Sequence, residues 1–263
     1  MLDLSLIGKT AFVGGGSRGI GAACARALAD AGASVILAAR TAAVLDATRA
    51  TLSEEYGQSH RSIVVDNSRP GELAAAVRAL LADISAVHIL VNNSGGPPPG
   101  QAIDADPDAF RAAFEQHLVC NQILAAAFAP GMKVSGYGRI VNVISTSVKQ
   151  PIPGLGVSNT IRGAVANWAK TLSMELGPHG ITVNNVLPGA TRTERLDDIV
   201  RRRAERAGVT PDAIADGLRV EIPLRRFAEP EEVAAAVVFL ASPAAGYVTG
   251  INLPVDGGRT GNL

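Results

Sequence analysis

Seven short runs of β-branched and apolar residues punctuate the chain, at 10–13, 34–38, 62–65, 88–91, 139–144, 182–186 and 251–255. None alternates apolar with polar positions as a strand with one wet face does, so each is expected to be a strand covered on both sides, in a parallel sheet. Between the runs lie longer Ala- and Leu-rich segments at helical spacing. Segment 19–31 is closed by Gly32, a residue suited to a left-handed C-terminal cap, and 70–83 opens on Pro70, which a first helical turn tolerates. Over 157–176, Ile161, Ala164, Val165, Trp168, Leu172 and Leu176 fall on one stripe, which predicts a long amphipathic helix. Strand and helix alternating along the whole chain predict a single α/β domain, 1–263, with a doubly wound sheet of about seven parallel strands, helices on both faces and right-handed crossovers. Such sheets bind ligands beyond the carboxyl ends of their strands. The rhythm breaks at 190–227, a polar stretch with Arg201, Arg202, Arg203 and Arg206 and no strand. An insertion of that length beside a strand end is expected to be a substrate lid, although the arginine cluster taken alone fits a solvated helical face.

Composition narrows the classes of function. At 263 residues, 47% hydrophobic and 18% charged, the chain can bury a sizeable core and lies far from the composition of disorder. Lys plus Arg and Asp plus Glu are 24 each, so no surplus of positive charge is available for a nucleic-acid backbone, and no nucleic-acid partner is expected. Cys24 and Cys120 are the only cysteines and no histidine cluster accompanies them, so neither a disulfide framework nor a metal site is expected, and both should be small buried hydrophobes. The start of the chain carries Asp3 and no basic segment, and the longest uncharged stretch, 118–132, includes Asn121, Gln122 and Pro130. That stretch is shorter than the roughly 20 apolar residues of a membrane span. A cytoplasmic protein without membrane contact is the expectation.

The first strand runs directly into Gly14-Gly15-Gly16-Ser17-Arg18-Gly19-Ile20-Gly21 and then into a helix. A pyrophosphate needs backbone N–H groups with no Cβ in the way and the positive end of a helix dipole, and this context supplies both. The run fits GxGxxG at Gly14, Gly16 and Gly19, and GxxxGxG at Gly15, Gly19 and Gly21. The end of the second strand then discriminates between nucleotides, because a carboxylate there would accept hydrogen bonds from a free ribose 2′-OH. Ala39 stands there instead, followed by Arg40, and with Arg18 in the glycine turn two guanidiniums could hold a 2′-phosphate. NADP (NADPH) is therefore expected over NAD.

Further motifs resemble the short-chain dehydrogenase/reductase family, specifically members of about 250 residues similar to β-ketoacyl-carrier-protein reductases. Asp66-Asn67 resembles the adenine-contacting pair after the third strand, and Asn92-Asn93-Ser94-Gly95 the NNAG segment after the fourth. Pro188-Gly189, followed by Thr191 and Thr193, resembles the PG motif beside the nicotinamide carboxamide, and Val255-Asp256-Gly257-Gly258 the C-terminal VDGG. The resemblance implies a Rossmann-type fold, hydride transfer with a nicotinamide, a small-molecule substrate and a homotetramer. It also implies a catalytic Ser, a Tyr-x-x-x-Lys pair and an Asn. Ser145 matches the serine, but the tyrosine position holds Ser158, the lysine position Arg162, and His117 stands where Asn is usual. None of Tyr56, Tyr137 and Tyr247 is followed four residues later by lysine, so the usual donor is absent.

Two readings of this altered set follow. In one, Ser145 and Ser158 polarise a carbonyl or imine, Arg162 gives electrostatic support and hydrogen-bonds the nicotinamide ribose, and His117 or water supplies the proton. In the other, the nucleotide site persists without redox turnover and the protein is a regulatory or scaffold subunit. His117 could equally be a core histidine, and Ser145 and Ser158 could be a strand-end cap and a helix N-terminal cap. The loop 95–100, rich in Gly and Pro, is expected either to wall a substrate pocket or to form a plain surface turn.

Overall fold

The seven apolar runs become seven strands of one parallel sheet in a computed structural model that describes residues 2–262. They are β1 (Thr10–Gly14), β2 (Ser34–Ala39), β3 (Arg61–Val64), β4 (Ile89–Asn92), β5 (Gly138–Val143), β6 (Ile181–Pro188) and β7 (Asn252–Val255), in the spatial order β3-β2-β1-β4-β5-β6-β7. The order reverses between β1 and β4, which opens a crevice at their carboxyl ends. The inner strands β1, β2, β4, β5 and β6 are almost wholly buried, as uniform apolarity requires. The two edge strands depart from that expectation. β3 exposes Arg61 and Val64 and β7 exposes Pro254, because each lacks a neighbour on one side.

Helices cover both faces. On one, α1 (Gly19–Asp30) and α9 (Pro230–Ala241) pack together and bury Leu28, Val237 and Leu240 against Val13, Val35 and Val143. On the other, α3 (Pro70–Asp83), α5 (Cys120–Ser135) and α6 (Gly156–Leu176) bury Leu73, Val77, Phe128 and Met132, and the rings of Phe12 and Phe128 meet at 5.2 Å between centroids. The stripe on α6 is largely used within the chain, since Ile161, Val165 and Leu176 are buried while Ala164, Trp168 and Leu172 are half-buried. Cys24 and Cys120 are buried free thiols, raised by desolvation to about 12 and about 11, so both stay protonated and inert.

A row of amides crosses the sheet. Asn92, Asn142, Asn185 and Asn252 are register partners on β4, β5, β6 and β7. Asn92 Nδ2 donates to Asn142 Oδ1 at 2.8 Å, Asn142 Nδ2 to Asn185 Oδ1 at 2.9 Å, and Asn185 Nδ2 to Asn252 Oδ1 at 2.8 Å. Each bond exists only in this pairing, so the row fixes strand register.

Segment 190–227 leaves and returns at one place. Ala228 N donates to Ala190 O and Arg192 N to Ala228 O, both at 2.9 Å, which closes its base. Between these ties lie α7 (Glu194–Ala207) and α8 (Pro211–Val220), which bury Leu196, Val200, Ala215, Ile222 and Phe227 in a small core of their own. Two shorter helices, α2 (Ala42–Arg49) and α4 (Pro107–Phe114), complete the elements. No helix among the described residues is long and apolar enough to cross a membrane, and no group of three metal-ligating side chains occurs among them.

Candidate active site

A cleft of about 790 Å³ lies over the carboxyl ends of β1, β4, β5 and β6. One wall is the glycine turn. Gly15 has φ +58°, and a Cβ there would lie 2.7 Å from Asn93 Nδ2, while one on Gly21 would lie 2.1 Å from Gly15 O. No larger residue fits either position. Asn93 Nδ2 donates to Gly14 O at 3.1 Å and so ties this turn to the end of β4. No side chain caps the N-terminus of α1 and no acidic residue lies in its first turn, so its leading N–H groups, at Gly19 and Ile20, open on the cleft. That is the electrostatic setting of an anion site on a helix of full length.

Arg40, directly after β2, is exposed, lines the cleft and has no ion-pair partner among the described residues. Arg18 behaves differently from expectation. It reaches across the cleft mouth and donates to Glu194 at the start of α7, at 2.8 and 3.0 Å, so its guanidinium is engaged with segment 190–227. Asp66 accepts from Ser68 N at 2.9 Å, and this bond, with the Arg40 and Arg69 charges nearby, holds its carboxyl below the usual range. Asp66, Asn67 and Ser17 stand outside the cleft lining, with Asn67 O accepting from Cys120 Sγ and Ser17 O from Thr48 Oγ1.

The opposite wall holds the altered catalytic positions. Ser145 follows β5 and accepts from Ser147 N at 3.1 Å, capping a short 3₁₀ turn, which leaves its own hydroxyl proton free. Ser158 and Arg162 are one helical turn apart on α6 and both line the cleft. Of the two readings of Ser158, the helix N-terminal cap does not hold, because α6 begins at Gly156 and its cap residue is Leu155. Arg162 is 8% exposed, donates to Val143 O at 3.1 Å, and has no partner for its buried Nε. Burial, with Arg195 close by, pulls its pKa down to about 10, so the guanidinium keeps its charge at neutral pH.

His117 does not line the cleft. It sits in a π-helical turn, Glu115–Val119, that links α4 to α5, with Nδ1 at 2.8 Å from Ser94 Oγ and a buried Nε2 without a partner. π-Helical turns are rare and concentrate at functional sites. Desolvation first, then the Arg162 and Arg195 charges, push the imidazole down to about 3, so it is neutral at physiological pH. Ser94, which does line the cleft, was legible as a departure from NNAG, and it bonds the other departure, His117.

Of loop 95–100, Gly95 and Gly96 line the cleft, while its far end is tied to the chain before α6. Gly100 N donates to Gly154 O at 2.8 Å and Gly156 N to Gly100 O at 2.9 Å, which stitches the loop to the start of α6. Gly95 O accepts from Gln116 Nε2 at 3.0 Å. Arg195 of α7, which carries no sequence signal, donates to Pro97 O at 2.8 Å. At the end of β6, Pro188, Gly189, Thr191 and Thr193 line the cleft, and Gly189 lies so close to Asp256 that a Cβ would fall 2.7 Å from that side chain. Thr193 caps α7 by accepting from Leu196 N at 3.4 Å.

Residues 15–260 match the family model described as enoyl-(acyl carrier protein) reductase. The short-chain reductase protein NovJ of Streptomyces niveus is 34% identical over 253 residues, covering 95% of this chain and 94% of that protein. The NADPH-dependent reductase BacG of Bacillus subtilis is 28% identical, over 95% of this chain and 97% of its own. Among solved structures, L-sorbose reductase of Gluconobacter frateurii, complexed with NADPH and L-sorbose, superposes with a TM-score of 0.92 at 30% identity, covering 99% of this chain and 100% of that one.

Proposed function

The chain belongs to the short-chain dehydrogenase/reductase family, and we propose that it is an NADP(H)-dependent oxidoreductase acting between a small carbonyl and its alcohol, or an imine and its amine. One observation carries the reading: a single cleft joins the open N-terminus of α1 and the unpaired Arg40 to the Ser145, Ser158 and Arg162 side chains. NADPH named with BacG and with the L-sorbose reductase supports the choice of nucleotide. The glycine turn and Gly19–Ile20 amides would hold its pyrophosphate, Arg40 its 2′-phosphate, Asp66 and Asn67 the adenine side, and Asn93, Gly95, Pro188, Gly189, Thr191 and Thr193 the nicotinamide half.

The nucleotide supplies or accepts the hydride when bound. The protein must then supply a proton and offset negative charge at the substrate oxygen. Ser145, with one lone pair taken by the Ser147 amide and its proton uncommitted, would donate to the substrate oxygen in the cleft, and Ser158 offers a second hydroxyl. Arg162 stabilises charge developing on the oxygen, which is worth most in a site as dry as its own. His117, neutral and one layer back, positions Ser94, and water delivers the proton to the serine hydroxyls. Segment 190–227 acts as the substrate lid, and the assembly is a homotetramer.

The test is calorimetric titration of the purified protein with NADPH and NADH, followed by ketones, imines and alcohols monitored through absorbance of the reduced nicotinamide. Tighter binding of NADPH and turnover of at least one carbonyl are expected. NADPH binding with no turnover across the panel would mark a nucleotide-binding protein without redox function, and no binding would overturn the reading.

A further inference from the structure

The cleft holds more positive charge than the chain neutralises. Arg192 pairs with Glu229, Arg259 with Glu221 and Arg18 with Glu194, and of the two carboxylates that line the cleft, Glu194 is taken by Arg18 and Asp198 by Arg201. Arg162 and Arg195 have no acidic hydrogen-bond partner, only the carbonyls of Val143 and Pro97, and the one carboxylate whose charge reaches either of them, Asp198 beside Arg195, is already bonded to Arg201. Both heads converge on one point: a methyl group on Gly96 would lie 3.1 Å from Arg195 Nη2 and 3.6 Å from Arg162 Nη2. Two like charges that close, one of them buried with an unpartnered Nε, repel each other and await an anion.

The anion is distinct from the nucleotide's phosphates on the geometry of the cleft. The open N-terminus of α1 and Arg40 belong to the β1–β2 side, whereas Arg162 and Arg195 meet over Gly96, beyond β4 and against β5. Ser145 and Ser158 line the same wall as Arg162, so an anion over Gly96 would leave a carbonyl of the same molecule within their reach.

Resting on the oxidoreductase reading above, we propose that the substrate is an oxo acid, a carbonyl compound whose carboxylate is held between Arg162 and Arg195 while its carbonyl faces Ser145 and Ser158. Guanidinium is suited to this task because its planar fork meets a carboxylate in two parallel hydrogen bonds. Arg195 comes from α7, already docked through Glu194 to Arg18 and through Arg195 to Pro97 O, so the acid would add a further tie between segment 190–227 and the wall that holds Arg162.

The experiment measures calorimetric affinity of 2-oxobutanoate, 3-oxobutanoate and 4-oxopentanoate, each against its methyl ester, for the free protein and for protein saturated with NADPH. At least one acid is expected to bind tenfold or more tighter than its ester, in both states. In Arg195→Gln the acid-to-ester ratio should fall to near one, with the ester's own affinity as control for intact folding, and Arg195→Lys should retain part of the preference. Equal binding of acids and esters would overturn the proposal, as would a preference that survives in Arg195→Gln. A preference present only without NADPH would also overturn it, by giving the charge to the nucleotide. Because the free protein is read as well, failure of NADPH to bind would sink the oxidoreductase reading while these ratios still decide the anion site.

Discussion

Arg162 is buried with a single carbonyl for a partner, and removing an ion from water costs several kcal/mol even after relaxation. A charge held at that cost is expected to serve the reaction. Arg162→Ala should abolish turnover, and Ser145→Ala should lower kcat by about 10²-fold if its free proton stabilises the oxyanion; steady-state rates within threefold of the parent would refute either role. His117 gives a prediction of another kind. The unfolded imidazole takes a proton near pH 6.5 and the folded one only near 3, so its contribution to stability is whole above pH 6.5 and is lost as pH falls towards 3. Between pH 7 and pH 5 the parent should lose about 2 kcal/mol more than His117→Asn. Urea unfolding at the two pH values checks it, and parallel pH dependence in both proteins would mean that the imidazole titrates normally. The substitution at His117 was open to sequence reading, but its pairing with Ser94 was not, because residues 23 apart in sequence meet only once β4 and the π-helical turn are packed. The depressed ionisation was not, because it depends on burial and on two guanidiniums from α6 and α7.

The elements were largely legible, and for one reason: each strand run and the glycine turn are written in contiguous residues. Interactions that depend on register were not. The amide row from Asn92 to Asn252 joins residues on four strands, and an isolated Asn in an apolar run gives no hint of its partner. Asn142 sits inside the row, so Asn142→Ala strands an amide on either side and should destabilise the protein by about 2–6 kcal/mol, at about 1–3 kcal/mol per buried unsatisfied group. A change of under half a kcal/mol by denaturant unfolding would show that the row carries no register information. Segment 190–227 likewise declares its polarity in sequence but not its contacts, since Arg18 and Glu194 lie 176 residues apart and meet only in the fold. With Arg18 so engaged, the proposed preference for NADPH rests on Arg40. Arg40→Ala should weaken NADPH roughly tenfold and leave NADH nearly unchanged, at the strength of a charge-assisted bond. Glu194→Ala, which frees Arg18, should tighten NADPH by a few-fold; calorimetry that found both nucleotides altered equally would remove the 2′-phosphate from this corner.

For the molecule as a whole, the surface left over by folding is what assembly can use. Much of the α6 stripe is consumed against the chain's own sheet, but Ala164, Trp168 and Leu172 stay half-buried and Met174 is 65% exposed. Trp168 Nε1 donates to Gln122 Oε1 at 2.8 Å and locks α6 beside α5, whose Ile123 and Ala127 are half-buried and whose Ala126 is exposed. Residues 118–132 carry no charge, whereas Lys133, Lys170 and Glu175 stand exposed towards the C-terminal ends of the two helices, so the uncharged surface is the part around Ala126, Ala164 and Trp168. A closed symmetric assembly would bury this face against its copy, so any charge introduced there would be repeated across each two-fold axis and desolvated twice. Light scattering at micromolar concentration should therefore give a mass of about four times the 27.0 kDa chain. Ala126→Asp, harmless to a lone chain because its side chain already faces water, should shift that mass downward without lowering the unfolding midpoint of the monomer it releases. A 27.0 kDa parent would refute the assembly itself, whereas an unchanged tetramer in Ala126→Asp would move the interface away from α5 and α6.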